Sequence, residues 1–275
     1  MDRALLYLGG LGIVLLLAFS PAVIGWLGSP DEAGHKIEPL GTPEEVRKLD
    51  DAYHRGVVIG IFPYGDARPR FRDDFREIQA LGANAVSLNF NWFMTSVREN
   101  EIFRGQSGRR NRTPDNDVIA QAINDAHRAG LKTMIFPSIY ILRLRQGEWR
   151  GSIQPPSWNA WFDSYRAHLL DLARLSERFG AEYLCIGIEL VSTEAQTEQW
   201  RETIAAVREV YSGKLLYSAN WDARNRNPWY RDLDLVAMNA YFTLAETDGT
   251  PEDREFDEPS LDELVASWEE IREEI

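Results

Sequence analysis

The sequence predicts an α/β protein with a parallel sheet, and three observations support this prediction. Short apolar runs alternate with longer stretches of helical periodicity. One apolar run follows the previous one at intervals of about 35 residues. The runs are bounded by turn residues such as glycine, proline and asparagine. Repeated strand–helix units join neighbouring strands through a crossover, which makes the strands parallel.

The apolar runs predict six strands. In chain order they are residues 57–62, 84–90, 131–136, 183–190, 214–219 and 235–240. Branched and aromatic side chains recur in them, as expected for strands that are covered on both faces. Pro137 is expected to end the third strand, because proline cannot donate a hydrogen bond to a sheet ladder.

The periodic stretches predict six helices. In chain order they are residues 42–54, 71–81, 113–130, 158–179, 197–211 and 261–275. The first opens with Thr42-Pro43, a hydroxyl cap followed by proline. Glycine closes the second, third and fourth helices. The last two carry apolar stripes at helical spacing, which predicts that each packs against the sheet.

The fourth apolar run carries one carboxylate, Glu189, close to its end. A buried charge is costly unless it has a partner or a function. From this run alone, a second interpretation stays open, in which Glu189 lies beyond the strand in a solvated loop. Regular alternation predicts two faces for this strand. Glu189 would share one face with Tyr183, Cys185 and Gly187, and the face toward covering helices would hold Leu184, Ile186 and Ile188.

The best fit to these units is a (β/α)₈ TIM-barrel type, of which only about six βα units are present. The first strand is followed by Pro63-Tyr64-Gly65-Asp66, which is not a glycine-rich phosphate loop, so a nucleotide-binding sheet is disfavoured. Six strands would leave an open edge and an exposed core. We therefore expect either a truncated copy or a barrel that another chain completes.

Composition excludes several classes of partner and cofactor. The 275 residues carry a net charge of −13, and 44% are hydrophobic, which is enough for a sizeable core. No basic surface is expected, so nucleic acid is not a predicted partner. The single cysteine, Cys185, rules out a disulfide within the chain. The four histidines are scattered, and neither a metal site nor a cofactor is predicted.

The amino terminus predicts export. Residues 4–28 carry no charge and are long enough to cross a bilayer as a helix. Arg3 before them favours a cytoplasmic N-terminus with the folded part outside, either periplasmic or extracellular. A cleaved signal peptide, which would make the protein secreted, is the alternative. The predicted organisation is residues 1–28 as anchor or signal, 29–55 as linker and short helix, and 56–275 as the barrel domain.

Polar side chains collect at the C-terminal ends of several predicted strands, where barrels keep their sites. Besides Glu189, these are Asn91 after the second strand, Asn220 after the fifth, and Asn239 with Tyr241 at the sixth. Such side chains can bind a hydroxyl-rich ligand, although asparagine is also common in turns. Trp92 and Trp221 lie in the same loops, and flat aromatic rings suit sugar rings.

Three segments form a family pattern. They are Gly187-Ile188-Glu189-Leu190, Leu216-Tyr217-Ser218-Ala219-Asn220-Trp221 and Met238-Asn239-Ala240-Tyr241-Phe242. Together they resemble glycoside hydrolase family 113, whose members are retaining TIM-barrel enzymes of the endo-β-mannanase type. The resemblance implies that Glu189 is the general acid/base. It implies a polysaccharide or oligosaccharide substrate, with a cleft lined by Asn220, Trp221, Asn239 and Tyr241.

The chain departs from the family pattern in three places. Ile188 stands where relatives usually have a polar residue, and Pro137-Ser138 stands where histidine is common. The nucleophilic glutamate belongs at the end of a seventh strand, which is not predicted here. We therefore expect a retaining glycosidase for a mannan-like β-linked polysaccharide that is inactive as this chain. The alternative is a non-catalytic carbohydrate-binding or cell-envelope scaffold protein with a degenerate barrel.

Overall fold

A computed structural model describes residues 37–47, 54–61, 71–107, 111–222, 227–241 and 260–274. The predicted anchor at residues 1–28 lies outside these described residues, as does most of the linker. Within them, no helix has the length and apolar character needed to cross a bilayer.

Six parallel strands form one sheet, and their spatial order is their order in the chain. Each strand therefore pairs with the one before it. The strands are β1 (Gly56–Gly60), β2 (Ala85–Met94), β3 (Lys132–Ile141), β4 (Tyr183–Ile188), β5 (Lys214–Asn220) and β6 (Leu235–Asn239). The architecture is a curled, partial (β/α)₈ barrel of six strands, as the sequence predicts. A two-stranded hairpin of Gln106–Ser107 and Asn111–Arg112 follows β2.

The six predicted helices are all found, with shifted ends. They are α1 (Pro43–Val46), α2 (Arg72–Ala80), α3 (Asn116–Arg128), α4 (Trp158–Arg178), α5 (Thr197–Arg208) and α6 (Leu261–Glu274). The prediction for α1 was wrong in length. Arg47 is already extended, so the helix ends at Val46 rather than near residue 54. Gly180 ends α4 with a φ of 70°, a conformation that glycine adopts without strain.

Strand β3 runs through Pro137 instead of ending there, which corrects the sequence prediction. It pairs with β2 along its whole length, from Lys132 to Ile141. Its pairing with β4 covers only Met134 and Ile135. Beyond Ile135 one side of β3 has no ladder to complete, so a residue without an N–H group can be accommodated there.

Two apolar layers lie on opposite faces of the sheet. The helix side holds the large core, in which Leu184 and Ile186 of β4 pack with residues of α4 and α5. The inner face holds a smaller cluster that includes Tyr183, Cys185 and Ile188. The prediction that Ile188 faces the helices was therefore wrong. The register of β4 against β5 shifts between Cys185 and Ile188, and such a bulge changes which face the next side chain meets.

Candidate active site

Glu189 lies directly after β4, at the C-terminal end of the sheet, and its side chain is almost completely buried. Its φ is 51°, the one positive value recorded for a non-glycine residue in the described part of the chain. Backbone of this kind costs about 1–3 kcal/mol and is found mostly at functional sites. The N–H of Glu189 donates to the carbonyl of Ser218 at 2.9 Å, which ties the residue to β5.

An amide holds one carboxylate oxygen of Glu189. Nδ2 of Asn239 donates to Oε1 of Glu189 at 2.7 Å. The hydroxyl of Ser218 donates to Oδ1 of the same asparagine at 2.8 Å, which turns its NH₂ group toward Glu189. All three side chains are buried on the inner face of the sheet. A carboxylate with a fixed donor keeps a fixed orientation, which proton transfer requires.

A guanidinium lies on the other side of the carboxylate. Nε of Arg150 is 3.9 Å from Oε2 of Glu189, and its Nη1 donates to the hydroxyl of Ser138 at 2.7 Å. Arg150 begins a short 3₁₀ turn, Arg150–Ser152, in the long loop after β3. Arg150 is not among the predicted site residues, because the eight loop residues between it and the end of β3 hide which strand end it reaches.

Tyr241 lies close to the same carboxylate. It is more than half exposed, and its N–H donates to the carbonyl of Asn239 at 2.9 Å. Burial of the phenol raises the pKa of Tyr241, the charge of Glu189 raises it further, and Arg150 opposes both. The phenol therefore stays neutral near neutral pH and can donate a hydrogen bond to a ligand.

Asn220 is the last residue of β5, and Trp221 follows it in the turn. Asn220 is buried and donates from Nδ2 to a carboxylate oxygen of Asp222. The indole of Trp221 is about half exposed at the same end of the sheet. Asn91 of β2 is the register partner of Ser138, the residue that anchors Arg150, so it lies at this end too.

The side chain of Trp92 points away from the site although its backbone lies at this end of the sheet, which corrects the sequence expectation. Its side chain is 1% exposed and packs against Tyr165 and His168 of α4, with ring centroids at 5.8 and 5.6 Å. Strand alternation gives the reason, because Trp92 follows Asn91 and points to the helix side. We therefore leave Trp92 out of the site.

Within the described ranges, no group of three or more histidine, cysteine, aspartate or glutamate side chains is arranged to hold a metal ion. The site consists of one buried carboxylate between an amide and a guanidinium, with Tyr241 beside it and Trp221 exposed at the same end of the sheet. Such an arrangement can hold and transfer a proton next to a hydroxyl-rich ligand.

Comparison with known families decides the assignment. Residues 66–270 match the model of Glycoside Hydrolase Family 113. The chain belongs to glycoside hydrolase family 113. No curated protein sequence matches it.

Solved structures of family 113 share the fold. A GH113 beta-mannanase, AaManA from Alicyclobacillus acidocaldarius in complex with ManMIm, is 30% identical with a TM-score of 0.60, over 70% of this chain and 62% of that one. A second GH113 beta-1,4-mannanase is 22% identical with a TM-score of 0.61, over 70% and 63% of the two chains. A third, solved as a complex, is 20% identical with a TM-score of 0.63, over 81% and 69%. This chain thus spans less than two thirds of the first two structures.

Proposed function

We propose that this family 113 chain is a glycoside hydrolase acting on a β-linked, mannan-like polysaccharide, with Glu189 as its general acid/base. The observation that carries the proposal is the placement of Glu189 between Asn239 and Arg150 at the C-terminal mouth of the sheet. The family match and the beta-mannanase neighbours support the substrate class. Asn91, Asn220, Trp221 and Tyr241 are proposed to bind the sugar chain.

The proposed chemistry follows from the carboxyl group. In the first step the glycosidic C–O bond breaks, and the leaving oxygen takes the proton of Glu189. In the second step the resulting carboxylate removes a proton from the water that attacks the anomeric carbon. The amide of Asn239 keeps the same oxygen oriented in both steps. Trp221, exposed at the mouth, offers a flat face to a sugar ring.

A retaining reaction needs a second carboxyl group at about 5 Å from the first. Within the described residues, the recorded partners of the Glu189 carboxylate are an amide and a guanidinium, those of Asn239 and Arg150. We propose that the nucleophile comes from outside these residues, and that the described part alone does not complete the covalent step.

Azide can test whether the nucleophile is missing from the described residues, because a small anion can occupy the place of a nucleophilic carboxylate. The substrate is mannohexaose, whose sugar oxygen leaves poorly until it is protonated. Azide forms a bond to the anomeric carbon, the glycosidic C–O bond breaks, and the leaving sugar oxygen takes the proton of Glu189. We expect release of shorter mannooligosaccharides only with azide, and a loss of at least about 100-fold in Glu189→Gln, the scale of one acid catalyst. Glu177→Gln, a carboxylate far along α4, is the matched control.

The azide experiment has three other outcomes. Release without azide that disappears in Glu189→Gln would support the glycosidase and show that the chain carries its own nucleophile. Binding of mannohexaose without release under either condition would favour the carbohydrate-binding alternative. If the protein neither binds mannohexaose nor releases product, that result would contradict the proposed function.

We also propose, from residues 4–28 alone, that the protein is anchored in a membrane with its domain outside the cytoplasm. The expected result is a carbonate-resistant membrane fraction whose domain is cleaved by protease added to the outside of spheroplasts. A soluble, protected protein of full length would contradict this.

A further inference from the structure

The backbone after Glu189 is held by a buried tyrosine. The N–H of Leu190 donates to the hydroxyl of Tyr217 on β5 at 3.0 Å. That hydroxyl in turn donates to Oε1 of Glu194 at 2.9 Å. Nδ2 of Asn227 donates to the second oxygen, Oε2, of Glu194 at 2.9 Å. Tyr217 and Glu194 are both 2% exposed or less, so water does not compete for these bonds.

Two indoles hold the rest of the same turn. Nε1 of Trp200 donates to the carbonyl of Thr193 at 3.0 Å, and Nε1 of Trp229 donates to the carbonyl of Glu194 at 3.0 Å. The two rings stack with centroids 4.8 Å apart and both are fully buried. We call residues 189–194, held in this way, the Glu189 turn.

These bonds act on the two peptide planes that flank Glu189. The N–H of Glu189 is fixed by the carbonyl of Ser218, and the next N–H, that of Leu190, is fixed by Tyr217. Fixing the planes on both sides of one residue fixes its φ and ψ. A left-handed φ is an unfavourable choice for glutamate, so it persists only where the surroundings impose it. Without the tyrosine hydroxyl, the second plane could rotate.

We propose that Tyr217 and Glu194 are positioning residues, which hold Glu189 in its left-handed conformation so that its carboxylate faces Asn239. The hydroxyl of Tyr217 holds the N–H of Leu190, and Glu194 keeps that hydroxyl oriented by accepting a hydrogen bond from it. The consequence for catalysis rests on the proposed function, whereas the consequence for conformation does not.

Tyr217→Phe tests this, because phenylalanine keeps the ring in the core and removes only the hydroxyl. Tyr165→Phe is the matched control. The hydroxyl of Tyr165 is equally buried and donates to a carbonyl of the same strand, that of Ile186, at 2.6 Å, but it lies on the helix side. Tyr217→Phe loses two buried hydrogen bonds, those with Leu190 and Glu194, and Tyr165→Phe loses one. Of these bonds, only the one with Leu190 borders Glu189.

Two readouts do not depend on activity. In Tyr217→Phe we expect amide exchange of peptides covering residues 189–194 to rise about tenfold, which is the effect of losing one net hydrogen bond. We also expect the side-chain NH₂ signals of Asn239 to move in NMR spectra, because their acceptor is Glu189. Tyr165→Phe should leave the Asn239 signals in place. Unchanged signals in Tyr217→Phe, or equal changes in both variants, would overturn the proposal.

A third readout concerns the reaction. A positioning role predicts that kcat for the azide-dependent release falls at least about tenfold in Tyr217→Phe while KM changes less than about twofold, because only the acid's orientation is lost. Glu194→Gln keeps an oxygen that can accept from Tyr217, so it should retain more of kcat than Glu194→Leu. Equal losses in the two Glu194 variants would count against the role of Glu194.

The two proposals can fail separately. If the Asn239 signals and the turn's exchange respond to Tyr217→Phe but no variant and no wild-type sample releases product, the positioning device stands and the glycosidase assignment falls. If wild type releases product and kcat is equal in wild type and Tyr217→Phe, the glycosidase stands and the positioning proposal falls.

Discussion

At Glu189, one backbone angle determines where the carboxylate points. Regular alternation would place consecutive side chains on opposite faces of a strand. Instead, Ile188 packs in the inner cluster and Glu189 also reaches the inner face, where it meets Asn239. The bulge in β4 and the positive φ of Glu189 together make this possible. The direction of the Glu189 carboxylate is therefore set by the backbone.

The thiol of Cys185 offers a simple residue-level prediction. It is fully buried, and burial raises its pKa to about 12. At pH 8 the reactive thiolate is therefore almost absent in the folded protein. We expect no reaction with Ellman's reagent at pH 8, and one thiol per chain after addition of guanidinium chloride. Rapid labelling of the folded protein would show that the inner face of β4 is open to solvent.

Glu194 predicts a pH dependence of stability. Burial raises its pKa, with Asp222 nearby adding to the shift and the hydrogen bonds from Asn227 and Tyr217 opposing it. A raised pKa means that its favourable contribution is complete below the unfolded pKa and is lost as pH rises through the folded pKa. Glu194→Gln cannot ionise. The urea midpoint of Glu194→Gln, relative to that of wild type, should therefore rise between pH 4 and pH 8.

Glu177→Gln is the control for this experiment, because its shift has the opposite sign. Burial acts to raise the pKa of Glu177, but hydrogen bonds from Ser212 and Arg47 outweigh it and lower the pKa. Its contribution is present above the unfolded pKa and is lost as pH falls. The urea midpoint of Glu177→Gln should therefore lie closest to that of wild type at the lowest pH. A constant difference across pH for Glu194→Gln would contradict the prediction.

At the level of elements, the sequence predicts the existence and order of the strands and helices well. Hydrophobic periodicity is local information, and all six strands and six helices are found. The ends are predicted less well, because they depend on pairing. Pro137 lies inside β3 only because β4 pairs with so little of that strand. Residues of the site were predictable where a strand end carried them, as with Asn239.

Partners that arrive from loops could not be predicted. Arg150 reaches Glu189 from a turn twelve residues beyond Ser138, and Glu194 meets Tyr217 across 23 residues. No local pattern in the sequence records such contacts. Trp92 shows a second limit, because a tryptophan at a strand end can lie on either face of the sheet. Its side chain packs against the helices.

Strand β4 and helix α5 pack closely through Gly187. A Cβ atom at this position would lie 2.7 Å from Cε2 of Tyr217 and 3.0 Å from Cη2 of Trp200. Both rings are held in the core and cannot move away easily. We expect Gly187→Ala to destabilise the protein by about 1–3 kcal/mol, the range for overpacking a core, as measured by urea denaturation.

Gly56→Ala is the matched control for Gly187→Ala, because both glycines lie in strands of the same sheet. The nearest atom to a Cβ at residue 56 is the carbonyl oxygen of Ala85 at 3.7 Å, an ordinary contact. This change should be neutral or stabilise by up to about 1 kcal/mol. If Gly187→Ala lowers the free energy of unfolding no more than Gly56→Ala does, the contact with Tyr217 and Trp200 is loose and the prediction is wrong.

Among the described residues, the molecule is built on one parallel sheet with β1 and β6 at its two edges. An edge strand is hydrogen-bonded on one side only, whereas β2 and β5 are paired on both. We expect hydrogen exchange at pH 7 to be slowest in β2 to β5 and faster in β1 and β6, because strands open most easily from an edge.

Concentration provides the control for this exchange experiment. If the edges pair between copies, protection of β1 and β6 should rise as the protein is concentrated, and protection of β2 should not. Edge strands as well protected as β2 in dilute protein would contradict the prediction and indicate that other parts of the chain cover them.

The sequential strand order has a consequence for how the protein is made. Every strand of the sheet pairs with the strand that precedes it in the chain. During synthesis on the ribosome, each newly emerged βα unit therefore finds its neighbour already present, and the sheet can grow from one side as translation proceeds. The part that carries Glu189 can form before β5 and β6 are translated, but the hydroxyl of Tyr217 and the amide of Asn239 reach it only afterwards. The contacts that orient Glu189 are thus completed only after the strands that follow it in the chain have been made.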